Sequence, residues 1–391
     1  MKRVVLAAIT VAACTVAAIT AGCAPAPQRG SAPASAITTA PTMEAATAFR
    51  LDAAVARAMS AAAIPGALVG IWSPEGEYVK AFGVADTATG APMTTDFHSR
   101  IGSVTKTFTA TAVLQLAEAG SVGLDDPIDR YVDGVPGGET ITVRQLATMR
   151  SGLPDYLENE EFDTAVAADP TREFTPGELL GWAFKNPATF PPGQRYQYSN
   201  TNYILLGLLV EKVSRKHLPD YLAEHIFGPL GMAHTSFPTG TQFPVPHAVG
   251  YTDPDEPGGA PVNATGWSAS FTWAAGAVIS TLDDMRIWMP ALADGALIGP
   301  VLQQQRLQSP PTPGLPADVG YGMGVFTAAG WIGHNGSVPG YQTVAIHLPQ
   351  RTMTVVIMVN TDIAAPSGAQ PSTAVGKAIT EVLTPDHVYD V

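Results

Sequence analysis

Ile101-Gly102-Ser103-Val104-Thr105-Lys106 is the stretch from which the rest of the chain can be read. The run from Val104 to Ala119 predicts a helix that Gly120 ends, so Ser103 stands at its start. There the positive end of the helix dipole lies near the serine hydroxyl. Lys106, three residues on, falls on the same helix face. A serine hydroxyl is a weak nucleophile until a neighbour accepts its proton. Lys106 can accept it, or can lower the pKa of another base. Taken alone, the four residues from Ser103 are an ordinary helix cap followed by a surface lysine.

Two later stretches complete the pattern. Tyr198-Ser199-Asn200 precedes an apolar helix expected over Thr201 to Ser214. A tyrosine held near a lysine can ionise partly and act as general base, and Asn200 can hydrogen-bond a substrate amide or the lysine. By itself this is a Ser199 cap beside a buried tyrosine. His334-Asn335-Gly336-Ser337 stands just before a strand beginning near Gly340. A glycine there lets a substrate approach the backbone closely. The amides of Ser103 and Ser337 could pair as an oxyanion hole. Taken alone, His334 is incidental to the start of a strand.

Around these stretches the chain alternates little. Glu44 to Ala63 reads as an alanine-rich helix with Phe49, Val55 and Met59 on one side. Ala67–Trp72 and Tyr78–Val84 are β-type runs joined by a turn at Pro74-Glu75-Gly76, hence a hairpin. Thr142-Val143-Arg144-Gln145 and Thr175-Pro176-Gly177-Glu178 are capping boxes opening helices. Further helices are expected over Leu218–Phe227, Leu282–Leu292 and Ala374–Leu383. Gly250 to Trp267 reads as a loop. Tyr321–Thr327, Gly340–Leu348 and Met353–Asn360 read as strands. Strands at both ends of the chain can share one antiparallel sheet, with a mostly helical lobe inserted between them. That is an α+β arrangement, an α/β sandwich with helices at both termini flanking the sheet. A site is expected between the lobes.

The N-terminus carries an address. Met1-Lys2-Arg3 precedes an apolar run from Val4 to Ala21, which reads as a secretory signal over residues 1–22. Thr20-Ala21-Gly22-Cys23 resembles a bacterial lipobox, with threonine where leucine is usual, and Cys23 as the lipidated residue. Plain secretion or an uncleaved anchor is the alternative. Residues 23–43 are rich in Ala, Pro, Ser and Thr and read as a tether to the cell membrane. The domain is expected over 44–391, outside the cytoplasm of a bacterium.

Composition removes other classes. Of 391 residues, 21 are Lys or Arg and 34 are Asp or Glu, a net charge of −13. A nucleic-acid binder needs a basic footprint, so no nucleic acid is expected as a partner. Cys14 and Cys23 are the only cysteines, and both precede the domain. Disulfides, thiolate zinc sites and cysteine catalysis are therefore excluded there. The eight histidines show no ligand spacing, so no metal is expected. No G-x-S-x-G elbow is present. Asp125-Asp126 reads as a turn.

The three stretches in this order resemble the S-x-x-K, Y-x-N and K/H-x-G elements of the serine β-lactamase and penicillin-binding superfamily. Leu146–Leu153, Phe190–Gly193 with Tyr196–Tyr203, Trp273–Ala277 and Gly320–Gly324 are similar to further segments of that superfamily. Within it the chain looks closest to secreted D-alanyl-D-alanine carboxypeptidases and class C β-lactamase-like esterases. The resemblance implies a β-lactamase/transpeptidase-like fold and an acyl-enzyme on Ser103, with Lys106 and Tyr198 moving its proton. It implies substrate and oxyanion contacts from Asn200, His334, Gly336 and Ser337, with Trp273 lining the pocket. No cofactor is implied. The partner implied is a small acyl or peptide substrate, among them a peptidoglycan stem peptide or a β-lactam. A D-Ala-D-Ala carboxypeptidase-like hydrolase is the first expectation and a carboxylesterase the second. A catalytically silent envelope protein that binds a ligand is the third.

Two departures bear on substrate. Carboxypeptidases of this kind can carry a carboxylate-clamping arginine just after G-Y-G-x-G, where this chain has Val325-Phe326-Thr327. His334 replaces the commoner lysine, and imidazole is a weak anion receptor near pH 7. Both favour a neutral or apolar substrate.

Overall fold

Ala67–Trp72 is apolar on both of its faces, which a strand tolerates only in the middle of a covered sheet. The computed structural model, which describes residues 41–253, 259–310, 312, 316 and 318–391, places it there. Numbered in chain order, the strands are β1 (Gly66–Ser73), β2 (Gly76–Asp86), β3 (Ala91–Pro92), β4 (Ser99–Arg100), β5 (Tyr251–Thr252) and β6 (Val262–Asn263). They continue with β7 (Ile279–Ser280), β8 (Val319–Tyr321), β9 (Phe326–Ala328), β10 (Trp331–Val338), β11 (Tyr341–Leu348) and β12 (Met353–Val359). Eight of them form the main sheet in the order β3-β2-β1-β12-β11-β10-β9-β8. Neighbours are antiparallel, and β1 from the start of the domain pairs with β12 near its end, Ala67 opposite Val359 and Trp72 opposite Thr354. The expected sharing of one sheet by both ends of the chain is found.

Helices flank this sheet. Ala45–Ala61 and Pro371–Leu383 pack on each other, and Gly376 of the latter lies against Ile357 and Val344. Leu282–Asp294 packs against β1, β11 and β12. The rest of the helical segment builds around Thr105–Glu118, which is buried on nearly every side and packs against Thr201–Ser214. Both capping boxes form, Thr142 with Gln145 and Thr175 with Glu178. Asp126 accepts from Gly123 N and Tyr131 OH, the turn expected there.

Several expectations are corrected. Phe49 is 74% exposed; the buried face of its helix is Leu51, Ala54, Val55 and Met59. Tyr321–Thr327 is two short strands, β8 and β9, because Gly322–Val325 turns between them and Gly324 adopts a φ of +77°. Residues 331–338 are a full strand, so His334 lies within the sheet and not ahead of it. Gly250–Trp267 contains the paired β5 and β6. The expected tether gives way to the domain earlier than Glu44: Glu77 N donates to Pro41 O at 2.8 Å, Met43 N donates to Glu77 O at 3.0 Å, and Met43 is buried. The expected signal, Cys14, Cys23 and the remainder of the expected tether lie outside the described residues. Among the described residues no helix is long and apolar enough to cross a membrane.

Candidate active site

Ser103 sits in the tight turn Gly102–Val104 that runs directly into the helix Thr105–Glu118. The turn needs glycine: Gly102 has φ +51°, and a Cβ on it would come 2.7 Å from Ser337 N. The facing strand needs one too. A Cβ on Gly336 would come 2.0 Å from Ile101 O and 2.8 Å from Ser103 N. These two glycines let β10 lie backbone to backbone against the Ser103 turn, which brings Ser337 beside Ser103.

One helical turn on, Lys106 is fully buried. Its Nζ contacts Ser103 Oγ at 2.8 Å, Asn200 Oδ1 at 2.7 Å and Ala275 O at 2.8 Å. It also lies 4.9 Å from the Tyr198 ring centre and 5.6 Å from that of Tyr203. Burial pulls its pKa down to about 7, with the Asp155 carboxylate opposing that shift. In the neutral amine two N–H bonds point at the two carbonyl oxygens, so the lone pair is left for the Ser103 hydroxyl. The site therefore holds a nucleophile and a base already in hydrogen-bond contact.

Tyr198 completes the wall. Burial drives its hydroxyl pKa well above the usual tyrosine value, and a hydrogen bond with Ser103 opposes this. It stays protonated near neutral pH, so it does not ionise to act as the general base that its place near a lysine suggested, though it can relay a proton. Asn200, at the head of the helix Thr201–Ser214, is fixed from behind by Asp155. Reading the sequence missed Asp155, although it stands two residues after the Leu146–Leu153 segment that carried part of the resemblance.

His334 is buried on β10. Its Nδ1 meets the Asn335 carbonyl, so Nδ1 carries the hydrogen, and its Nε2 is left to accept from Tyr321 OH at 3.1 Å. Burial, and next the neighbouring Lys106, push its pKa down to about 3. The ring is neutral and offers no charge to a substrate. Phe326 packs behind it, with ring centres 4.9 Å apart.

A cleft of about 340 Å³ opens over these groups. Ser103, Tyr198, Asn335, Gly336 and Ser337 line one part of it, and Gln342, Gln370, Ser372 and Thr373 the other. The last four, from β11 and the C-terminal helix, were not singled out from sequence; isolated Gln, Ser and Thr carry no local signal of a site. Trp273 is not among the lining residues. A Cβ on Gly207 would come 2.7 Å from the Trp273 ring, so the indole lies against the helix Thr201–Ser214 instead. Phe326 does not line the cleft either. Among the described residues no cluster of three His, Cys, Asp or Glu side chains could hold a metal ion.

The chain is similar to several known proteins. A D-aminopeptidase of Cereibacter sphaeroides is 30% identical over 315 residues, covering 78% of this chain and 58% of that protein. The chain thus spans little more than half the length of that relative. A putative penicillin-binding protein of Bacillus subtilis is 31% identical over 71% of this chain and 66% of its own length. The structure of a D-stereospecific amidohydrolase from Streptomyces sp. is similar with a TM-score of 0.76 at 28% identity, covering 87% of this chain and 98% of that one. A D-amino acid amidase from Ochrobactrum anthropi SV3, complexed with L-phenylalanine amide, gives 0.75 at 28% identity, covering 86% and 96%. Residues 51–379 match the Beta-lactamase family model, and the fold agrees with that match, so the chain belongs to the Beta-lactamase family.

Proposed function

We propose that this chain is a serine hydrolase that cleaves a small amide, of the kind its D-aminopeptidase and D-amino acid amidase relatives are named for. The observation that carries the reading is Lys106 Nζ, 2.8 Å from Ser103 Oγ, with its N–H bonds committed to Asn200 and Ala275. Neutral Lys106 takes the Ser103 proton as Oγ bonds to the substrate carbonyl carbon. The carbonyl oxygen takes the negative charge between the amides of Ser103 and Ser337. The C–N bond then breaks as Tyr198 protonates the leaving nitrogen, and Lys106 returns a proton to Tyr198. Water cleaves the resulting ester: its proton passes to Lys106 through Tyr198, and Ser103 recovers a proton as the acid leaves.

The cleft supports amide over carboxypeptidase chemistry. All nine lining residues are uncharged, so no charged side chain in it is placed to clamp a terminal carboxylate. Neutral His334 does not supply that charge, and Phe326 is turned into the core behind it. Asn335 and Gln370 offer amide groups that can hydrogen-bond a polar substrate.

The test compares ammonia release from D-phenylalanine amide and D-alanine amide with D-alanine release from an acyl-D-Ala-D-Ala peptide, beside Ser103→Ala. Amide turnover that vanishes in Ser103→Ala is expected. D-alanine release with no amide turnover would overturn the amide reading in favour of a carboxypeptidase.

A further inference from the structure

We infer that Asp155 is the positioning residue that sets which way Asn200 faces, and through it where the Lys106 lone pair points. The inference rests on the proposed roles of Ser103 and Lys106. An asparagine amide has one end that donates and one that accepts, and the two ends have nearly the same shape. At Asn200 only one orientation satisfies both neighbours. Asp155 Oδ2 accepts from Asn200 Nδ2 at 2.8 Å and from Asn200 N at 3.0 Å, while Asp155 Oδ1 accepts from Leu157 N at 3.1 Å. A carboxylate cannot donate, so it holds Nδ2 and turns Oδ1 toward Lys106.

The reverse orientation would spoil the base. With Nδ2 facing Lys106, the amine lone pair would be drawn to that N–H and away from Ser103 Oγ. Asp155 is buried at the turn Tyr156–Glu158, and among the described residues no basic side chain is hydrogen-bonded to it. Its contacts are three N–H groups, so its carboxylate is committed to this one task and to its own turn.

The same carboxylate is the charge that Lys106 feels. Around Lys106 stand Ser103, Tyr198, Tyr203, Asn200, the Ala275 carbonyl and His334. Tyr198, Tyr203 and His334 are neutral near pH 7, and Arg306 lies beyond Tyr203. Asp155 is the acid whose charge favours the protonated lysine. Removing it both frees Asn200 to turn and eases deprotonation of Lys106. The two effects leave different traces, a lower plateau of reactivity and a midpoint moved to lower pH.

Two measurements on wild type and Asp155→Asn test this, with Asp155→Ala beside them and thermal unfolding recorded for each. Asp155→Asn keeps the shape and removes the charge. The first follows the rate at which a fluorophosphonate modifies Ser103 across pH 5.5–9 by intact mass, with Ser103→Ala as blank. The second follows the titration of the Lys106 side chain by NMR in lysine-labelled protein, where only seven lysines give signals. Expected in folded Asp155→Asn is a plateau about 10- to 100-fold lower, the size of a lost charged hydrogen bond, and a Lys106 midpoint at lower pH. A purely structural role would change the melting temperature and leave that midpoint in place. An unchanged plateau or an unchanged midpoint in a folded variant overturns the inference. If wild-type Ser103 is not modified, the nucleophile assignment fails by itself, and the NMR titration still decides whether Asp155 governs Lys106.

Discussion

Lys106 carries the pH behaviour of the site. Only the neutral amine has a lone pair for the Ser103 proton, and burial sets its pKa near 7. The sign follows directly: as pH falls below that value Lys106 gains a proton and loses the lone pair, so acylation slows. We expect kcat/KM for an activated ester to rise through a midpoint near pH 7 and to fall about tenfold for each pH unit below it. A profile flat from pH 5 to 9 would show that another group takes the proton. Tyr198 cannot replace it near pH 7, because its burial keeps the hydroxyl protonated. His334 is held neutral over the same range and contributes shape and a hydrogen bond to Tyr321, not a titration.

At the scale of elements, the first helix shows what sequence can and cannot tell. Its existence was legible, but Phe49 was placed on the wrong face, since in an alanine-rich helix one aromatic hardly biases the pattern. Leu51→Ala should cost about 2–5 kcal/mol as a cavity in the core, whereas Phe49→Ser should lie within about 0.5 kcal/mol of wild type. Chemical denaturation of the two variants distinguishes the faces, and a costly Phe49→Ser would mean that the exposed ring is covered. The capping boxes at Thr142 and Thr175 were readable because their chemistry spans four residues. Strand β10 was not, because Gly333, His334, Asn335 and Gly336 have little strand propensity; pairing with β11 imposes the strand. Ser103, Lys106 and Tyr198 were found because each sits in a short recurring motif. Asp155, Gln342 and Gln370 reach the site only through the tertiary fold, so no local spacing announces them.

Taken whole, the molecule brings the two ends of its domain into one sheet and hangs the helical segment from it. The β1–β12 pairing joins the two ends of the domain into the sheet, and β10 of that sheet lies against the Ser103 turn. This explains why so much of the architecture was legible once three motifs were placed: each motif marks a point where the helical segment meets the sheet or its own second helix. The acidic surplus of the chain, by contrast, gives no hint of the site, because that charge is absent from the cleft lining. The uncharged lining has a kinetic consequence. A substrate without net charge meets no local field to steer it, so its capture should be insensitive to ionic strength. Between 20 and 500 mM NaCl, kcat/KM for a neutral ester should change by less than about twofold. A steep loss with salt would mean that charges beyond the rim guide the substrate in. In an acidic protein such indifference would let the same cleft work equally well in dilute and in salty surroundings.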